Sequence, residues 1–198
     1  MAMIYKKQGD YTKALEYYEK CLQIRLAKLG ADHPNVATTY GNMALVYKKQ
    51  GDYTKALECH EKCLEIRLAK LGADHPDVAT TYNNMAVVYD SQGDYTKALE
   101  CYEKALEIKL AKLGADHPAV AKTLAGMALV YKNQDDYTKA LKYHEKCLEI
   151  LSAKLGADHP DVAATYNNIA SVYDCQGDYT KALEYYEKAL EIYLVKLG

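Results

Sequence analysis

The chain has no phenylalanine and no tryptophan, and all twenty of its aromatic residues are tyrosine. That bias by itself points to no function. Proline and glycine are also scarce, at 4 and 11 residues in 198, below ordinary usage. Few breakers mean few turns, and few turns over this length mean long helices. Neither sign of charge dominates, because 25 Lys and Arg stand against 27 Asp and Glu, a formal net charge of −2. This balance excludes the broad electrostatic footprint of a nucleic-acid or anionic-membrane binder. No apolar run approaches the roughly 18–20 residues needed to span a bilayer. Met1-Ala2-Met3-Ile4-Tyr5 before Lys6-Lys7 lacks the charged-then-apolar order of a secretory signal. With 49% apolar and 26% charged residues the composition is that of a soluble globular chain, not a disordered one.

What the chain does have is repetition. The series Gln-Gly/Asp-Asp-Tyr-Thr-Lys-Ala-Leu begins at Gln8, Gln50, Gln92, Gln134 and Gln176, and Asp-His-Pro begins at Asp32, Asp74, Asp116 and Asp158. Both series recur every 42 residues. Residues 1–42 and 43–84 differ only at positions 3, 4, 17, 18, 23, 35 and 41 of the first window. A period of about 20–50 residues signals a solenoid or array and overrides the length prior of one or two globular domains.

Each copy reads as two helices. The first begins after Asp74-His75-Pro76: proline suits the first helical position, where its missing N–H is not needed, and His75 or Asp74 can cap. Val78, Tyr82, Met85, Ala86 and Tyr89 then recur at helical spacing. Gly93-Asp94 stops this helix and caps the next, with glycine in the left-handed position and aspartate accepting N–H bonds. The second helix carries Tyr95, Ala98, Leu99, Tyr102, Ala105, Leu106, Leu110 and Leu113 on one stripe, and Gly114 ends it. One such hairpin cannot bury its apolar face, so neighbours must stack on it.

These residues resemble the tetratricopeptide repeat. Its pattern of aromatic-x2-large-small-x2-Tyr, then Ala-x3-aromatic, stands here as Tyr82-x2-Met85-Ala86-x2-Tyr89, then Ala98-x3-Tyr102. The series recurs through Tyr40, Met43, Ala44, Tyr47 and Ala56, and through Tyr166, Ile169, Ala170, Tyr173 and Ala182. The ordinary repeat is shorter by eight residues and closes its second helix with a proline, where Leu68 and Leu110 stand here. The additions lengthen the second helix by about two turns, roughly 12 Å. Together with Asp-His-Pro-x-Val-Ala and Asn-Asn-Met-Ala, this is similar to the kinesin light chain type of repeat. The resemblance implies an all-α, right-handed superhelical solenoid of tandem helix-turn-helix repeats. It divides into a truncated first repeat at 1–30 and full repeats at 31–72, 73–114, 115–156 and 157–198. It also implies binding of cargo or adaptor segments along a concave groove. The heptad region of the kinesin light chain is absent, so no motor association follows.

Aligned positions within the chain act as internal controls on catalysis and metal binding. His33, His75, His117 and His159 recur in every linker, as a capping device does and a catalytic base need not. Cys59-His60-x-x-Cys63 is the one metal-like spacing, but zinc wants four N/S ligands and this stretch supplies three. Its aligned positions hold Tyr17 and Tyr143, Tyr18 and Tyr102, and Ala105 and Ala189, which makes the cysteines a packing choice. The remaining cysteines, Cys21, Cys101, Cys147 and Cys175, show no framework spacing, so buried free thiols and a cytoplasmic location are expected. No phosphate loop, Ser/His/Asp set or paired-carboxylate pocket appears. The expectation is a protein without enzymatic activity, metal or cofactor, and without nucleic-acid or membrane partners.

By resemblance, the groove is lined by first-helix residues at fixed positions: Thr38, Thr80 and Lys122; Asn42, Asn84 and Asn168; their neighbours Asn83 and Asn167; and further along Lys48, Lys49, Asp90, Lys132 and Asp174. An asparagine amide offers donors and an acceptor that match an extended peptide backbone. Such a ladder reads as a sequence-tolerant peptide clamp, or alternatively as bonding between adjacent helices or to water. Lys6, Lys7, Lys48 and Lys49 bias one end towards an acidic segment. Two functions follow: a scaffold that binds a peptide or protein partner, and a structural module that self-associates end to end through apolar faces left open at Met1 and beside Gly198.

Overall fold

The computed structural model describes residues 1–197. Gly198, expected to close the last helix, lies outside the described residues. The described chain is ten helices: α1 (Ala2–Gln8), α2 (Tyr11–Leu29), α3 (Pro34–Gln50), α4 (Tyr53–Leu71), α5 (Pro76–Gln92), α6 (Tyr95–Leu113), α7 (Pro118–Asn133), α8 (Tyr137–Leu155), α9 (Pro160–Gln176) and α10 (Tyr179–Leu197). These are the expected half helix and nine full ones, in tandem helix-turn-helix repeats, with no strand among the described residues.

Local chemistry sets the boundaries. Pro34, Pro76, Pro118 and Pro160 each open a first helix, and the preceding histidine caps it. In all four linkers the histidine Nδ1 accepts the backbone N–H two residues on, at 3.1 Å. The capping expectation for His33, His75, His117 and His159 therefore holds, with histidine rather than the neighbouring aspartate as the cap. The second helices are capped by aspartate: Asp52 accepts the N–H of Lys55 at 3.1 Å and pairs with its ammonium at 3.0 Å. The Lys55 side chain first, and its backbone N–H second, hold the Asp52 carboxyl below the usual carboxylate range. First helices end on left-handed glycines such as Gly51 (φ 80°). The exception is Asp135 (φ 60°), a non-glycine residue in the conformation that glycine adopts without a Cβ clash.

The chain forms two compact units, Met1–Ile108 and Lys109–Gly198. In the first unit each helix from α1 to α5 packs on the next. Ala14, Leu15 and Tyr18 of α2 meet Met43, Ala44 and Val46 of α3 and Cys59 of α4. In the second unit α7 packs on α8, α8 on α9 and α9 on α10. Its core joins Ala121, Cys147, Leu151, Val162, Ala163, Ala189 and Ile192. Alanines at the helix crossings, such as Ala44 and Ala170, have no exposed surface, because a larger side chain would hold the axes apart.

The tertiary structure gives the tyrosines a role. In every copy a lysine of the second helix lies over a first-helix tyrosine, as Lys55 does over Tyr47 (5.6 Å) and Lys139 over Tyr131 (5.1 Å). These are the same lysines that pair with the capping aspartates, so cap, cation and ring form one recurring triad. All six cysteines are free thiols, but the expectation that they are buried holds for only four of them. Cys21 is half-buried and Cys175 exposed, because Cys175 occupies the exposed last-turn position that Lys49 holds three repeats earlier in the series.

Candidate functional site

On α3 the residues Thr38, Asn42, Leu45 and Lys49 follow one another at spacings of four, three and four, with Lys48 beside them. Helical geometry puts such positions on one stripe. Thr38 and Lys49 are exposed, and Asn42, Leu45 and Lys48 half-buried. On α5 the stripe holds Thr80, Asn83, Asn84, Val87 and Asp90; on α7 Lys122, Leu129 and Lys132; on α9 Asn167, Asn168, Ser171 and Asp174.

The polar groups of these stripes are unequally occupied. Thr38 and Thr80 donate back to the carbonyls of Pro34 and Pro76 at 3.0 Å, so each hydroxyl offers only its acceptor side. The amides of Asn42, Asn84, Asn167 and Asn168 make no side-chain hydrogen bond to another described residue. In the second unit the stripe lysines are engaged. Lys122 pairs with Asp161 of α9 at 3.6 Å, and Lys132 donates to Ser171 Oγ at 3.1 Å. In the first unit Lys6, Lys48 and Lys49 form no ion pair with a described residue. Partial burial lowers the Lys48 ammonium from its ordinary value and Lys49 adds to the effect, while Asp90 opposes it. Lys6 is lowered by burial first and then by Lys49. Three cations thus share a surface with one nearby carboxylate.

The position of Leu45, Val87, Leu129 and Ser171 was not among the expected groove residues, yet it lies in the middle of the stripe. Leu129 is 37% exposed and Ser171 receives the Lys132 bond. Continuing the helical spacing from Thr38 through Asn42 finds it. The remaining metal-like stretch is core: Cys59, His60 and Cys63 are all buried, and the Cys63 thiol lies 3.9 Å from Thr81 Oγ1. Burial pushes the Cys59 thiol up to about 11.

A family model described as tetratricopeptide repeat matches residues 1–69, 36–111, 91–135 and 120–194. The chain belongs to the tetratricopeptide repeat family. Tetratricopeptide repeats are generally non-catalytic scaffolds that mediate protein–protein interaction. Among solved structures, the chain is similar to BtubC (BKLC) from P. vanneervenii, with 28% identity over 100% of this chain and 78% of that one and a TM-score of 0.85. It is also similar to a Podosopora anserina kinesin light chain of nearly identical TPR-like repeats (24% identity, 98% and 92% covered, TM-score 0.81). MamA shares the fold at 20% identity, with 100% and 96% covered and a TM-score of 0.64. No curated protein matches the sequence. Among the described residues of this tetratricopeptide repeat chain, no group of three metal ligands converges, and no helix is long and apolar enough to cross a membrane.

Proposed function

We propose that this chain is a cytoplasmic, non-catalytic scaffold, continuous over residues 1–198, that holds an extended acidic segment of a partner protein against its first-helix stripes. The asparagine amides of α3 and α5 bond the segment's backbone, and Lys6, Lys48 and Lys49 receive its carboxylates. The observation that carries this reading is the contrast in lysine pairing. Lys122 and Lys132 have partners within the chain, whereas Lys6, Lys48 and Lys49 have no ion pair with a described residue. An anionic segment relieves their mutual repulsion, and dissolved salt screens that attraction over a Debye length of about 8–10 Å at 0.1–0.15 M.

The test is fluorescence anisotropy with a labelled peptide of alternating glutamate and glycine, against a glutamine and glycine control. Preference for the acidic peptide, weakened about tenfold or more by the double substitution Lys48→Glu and Lys49→Glu and by raised salt, is the expected result. Equal affinity for both peptides, or no change in the double variant, refutes the acidic preference.

A second reading, self-association, is supported by the surface of α10. There Leu183, Leu190 and Leu194 are 62%, 55% and 59% exposed, although the corresponding face of α8 is packed against α9. Light scattering over a concentration series tests it: a constant molecular mass up to high micromolar concentration removes it.

A further inference from the structure

One column of second-helix residues alternates between two chemistries. Tyr18, His60, Tyr102, His144 and Tyr186 occupy the same place in successive repeats. His60 is 1% exposed and His144 has no exposed surface. Neither nitrogen of either ring has a hydrogen-bond partner among the described residues. A buried polar group without a partner is costly, and a buried charge without one far more so.

The surroundings make a proton still less welcome. His60 on α4 faces Lys48 from α3 and Arg67 from its own helix, and among the described residues α5 presents no charge to it. His144 on α8 faces Lys132 from α7, with no charge reaching it from α8 itself or from α9. Among the described residues no carboxylate acts on either imidazole.

We propose that His60 and His144 make the α3/α4 and α7/α8 helix pairs acid-labile, one such pair in each unit, so that mild acidification opens them while the aspartate caps remain intact. Protonating either ring inside the core creates an unpaired cation, and the ring takes the proton only once its helix pair has separated. The tyrosines at the equivalent positions fill the same site without gaining a proton in acid. This inference is independent of any peptide bound to the stripes.

The direction follows from linkage. Burial, with the nearby cations next in size, depresses both imidazoles from 6.5 to about 4. The opened chain therefore binds protons that the packed chain refuses. The stabilisation is complete above pH 6.5 and is lost as pH falls from 6.5 to 4. The capping aspartates, already held below 3.8 by their lysines, lose theirs at lower pH. The linker histidines lose their acceptor Nδ1 when protonated, but they are common to the parent chain and to the variants below.

The experiment compares urea unfolding at pH 7.5 and pH 5 for the parent chain, for His60→Tyr, for His144→Tyr and for the double variant. Tyrosine is chosen because Tyr18 and Tyr102 already fit that position. On going to pH 5, each histidine raises the opening constant of its own pair about 30-fold, and each substitution removes its share. The same pH dependence in the parent and the double variant overturns the proposal. Proton NMR of the parent chain decides the matter without any variant. Two of the six imidazole signals are expected to keep their neutral positions to pH 5 in the folded state. Titration of all six near pH 6.5 with helicity unchanged refutes it.

Discussion

In the first unit Arg67 crosses from α4 to the start of α5, where its guanidinium donates to the Asp77 carbonyl and to Thr81 Oγ1, both at 2.8 Å. In the second unit the same repeat position is Leu151, 3% exposed and packed in a cluster with Val162, Ala163 and Ile192. The partner threonine persists as Thr165, which keeps its bond to the Asp161 carbonyl at 2.8 Å and lies 3.7 Å from the Cys147 thiol. One seam is closed by a charge-assisted clasp and the other by apolar burial, although α4 and α8 share 15 of 19 residues and α5 and α9 share 13 of 17. Repeat geometry thus requires that the space be filled and its polar atoms satisfied, and does not dictate which chemistry does it. Lys109 is the intermediate case. It reaches Thr123 Oγ1 at 2.7 Å, a single ammonium in place of the guanidinium fork, and burial depresses that ammonium to about 8.

The comparison breaks most readily at the apolar seam. Leu151→Ala leaves a cavity and is expected to lower unfolding free energy by about 3 kcal/mol. A loss below about 1 kcal/mol in urea melts would show that the seam does not depend on apolar burial. Arg67→Ala comes next, at about 2 kcal/mol, because hydrogen bonds to a charged group are lost. Arg67→Leu should recover at least half of that loss if the two chemistries are interchangeable. Should the leucine variant be as unstable as the alanine variant, the seams are not equivalent. Asp135→Gly replaces a strained residue with the one that Gly9, Gly51, Gly93 and Gly177 place at the same turn, and should stabilise by about 1 kcal/mol. The smallest effect is expected within α3, where a Cβ at Gly41 would meet Cys63 Sγ at an ordinary 3.6 Å. Gly41→Ala should therefore stabilise by about 0.5–1 kcal/mol, and a destabilised variant would indicate that this crossing is tighter than its geometry implies.

The helix boundaries were legible in the sequence to a degree the site was not. Proline after Asp-His, glycine before Asp-Tyr-Thr and the spacing of Met85, Ala86 and Tyr89 act over a few residues, so a local reading recovers them. The stripe positions were equally legible as a pattern, apart from the column of Leu45 and Ser171. Their state was not. That Lys132 is bound, and that Lys48 feels Asp90 without an ion pair, depends on Ser171 and Asp90, which come from other helices.

By itself the sequence determined the repeat length, the helix pairs, their caps and the choice of small residues at the crossings. Each of these is settled by interactions within one turn of helix or by the identity of five nearly identical copies. Only the tertiary structure decided that His60 and His144 are buried without partners, that Cys175 faces outward while Cys147 is core, and that Arg67 and Leu151 solve one packing problem differently. Burial and pairing depend on which side chains neighbouring helices bring together, roughly one repeat away along the chain, and no local pattern carries that information.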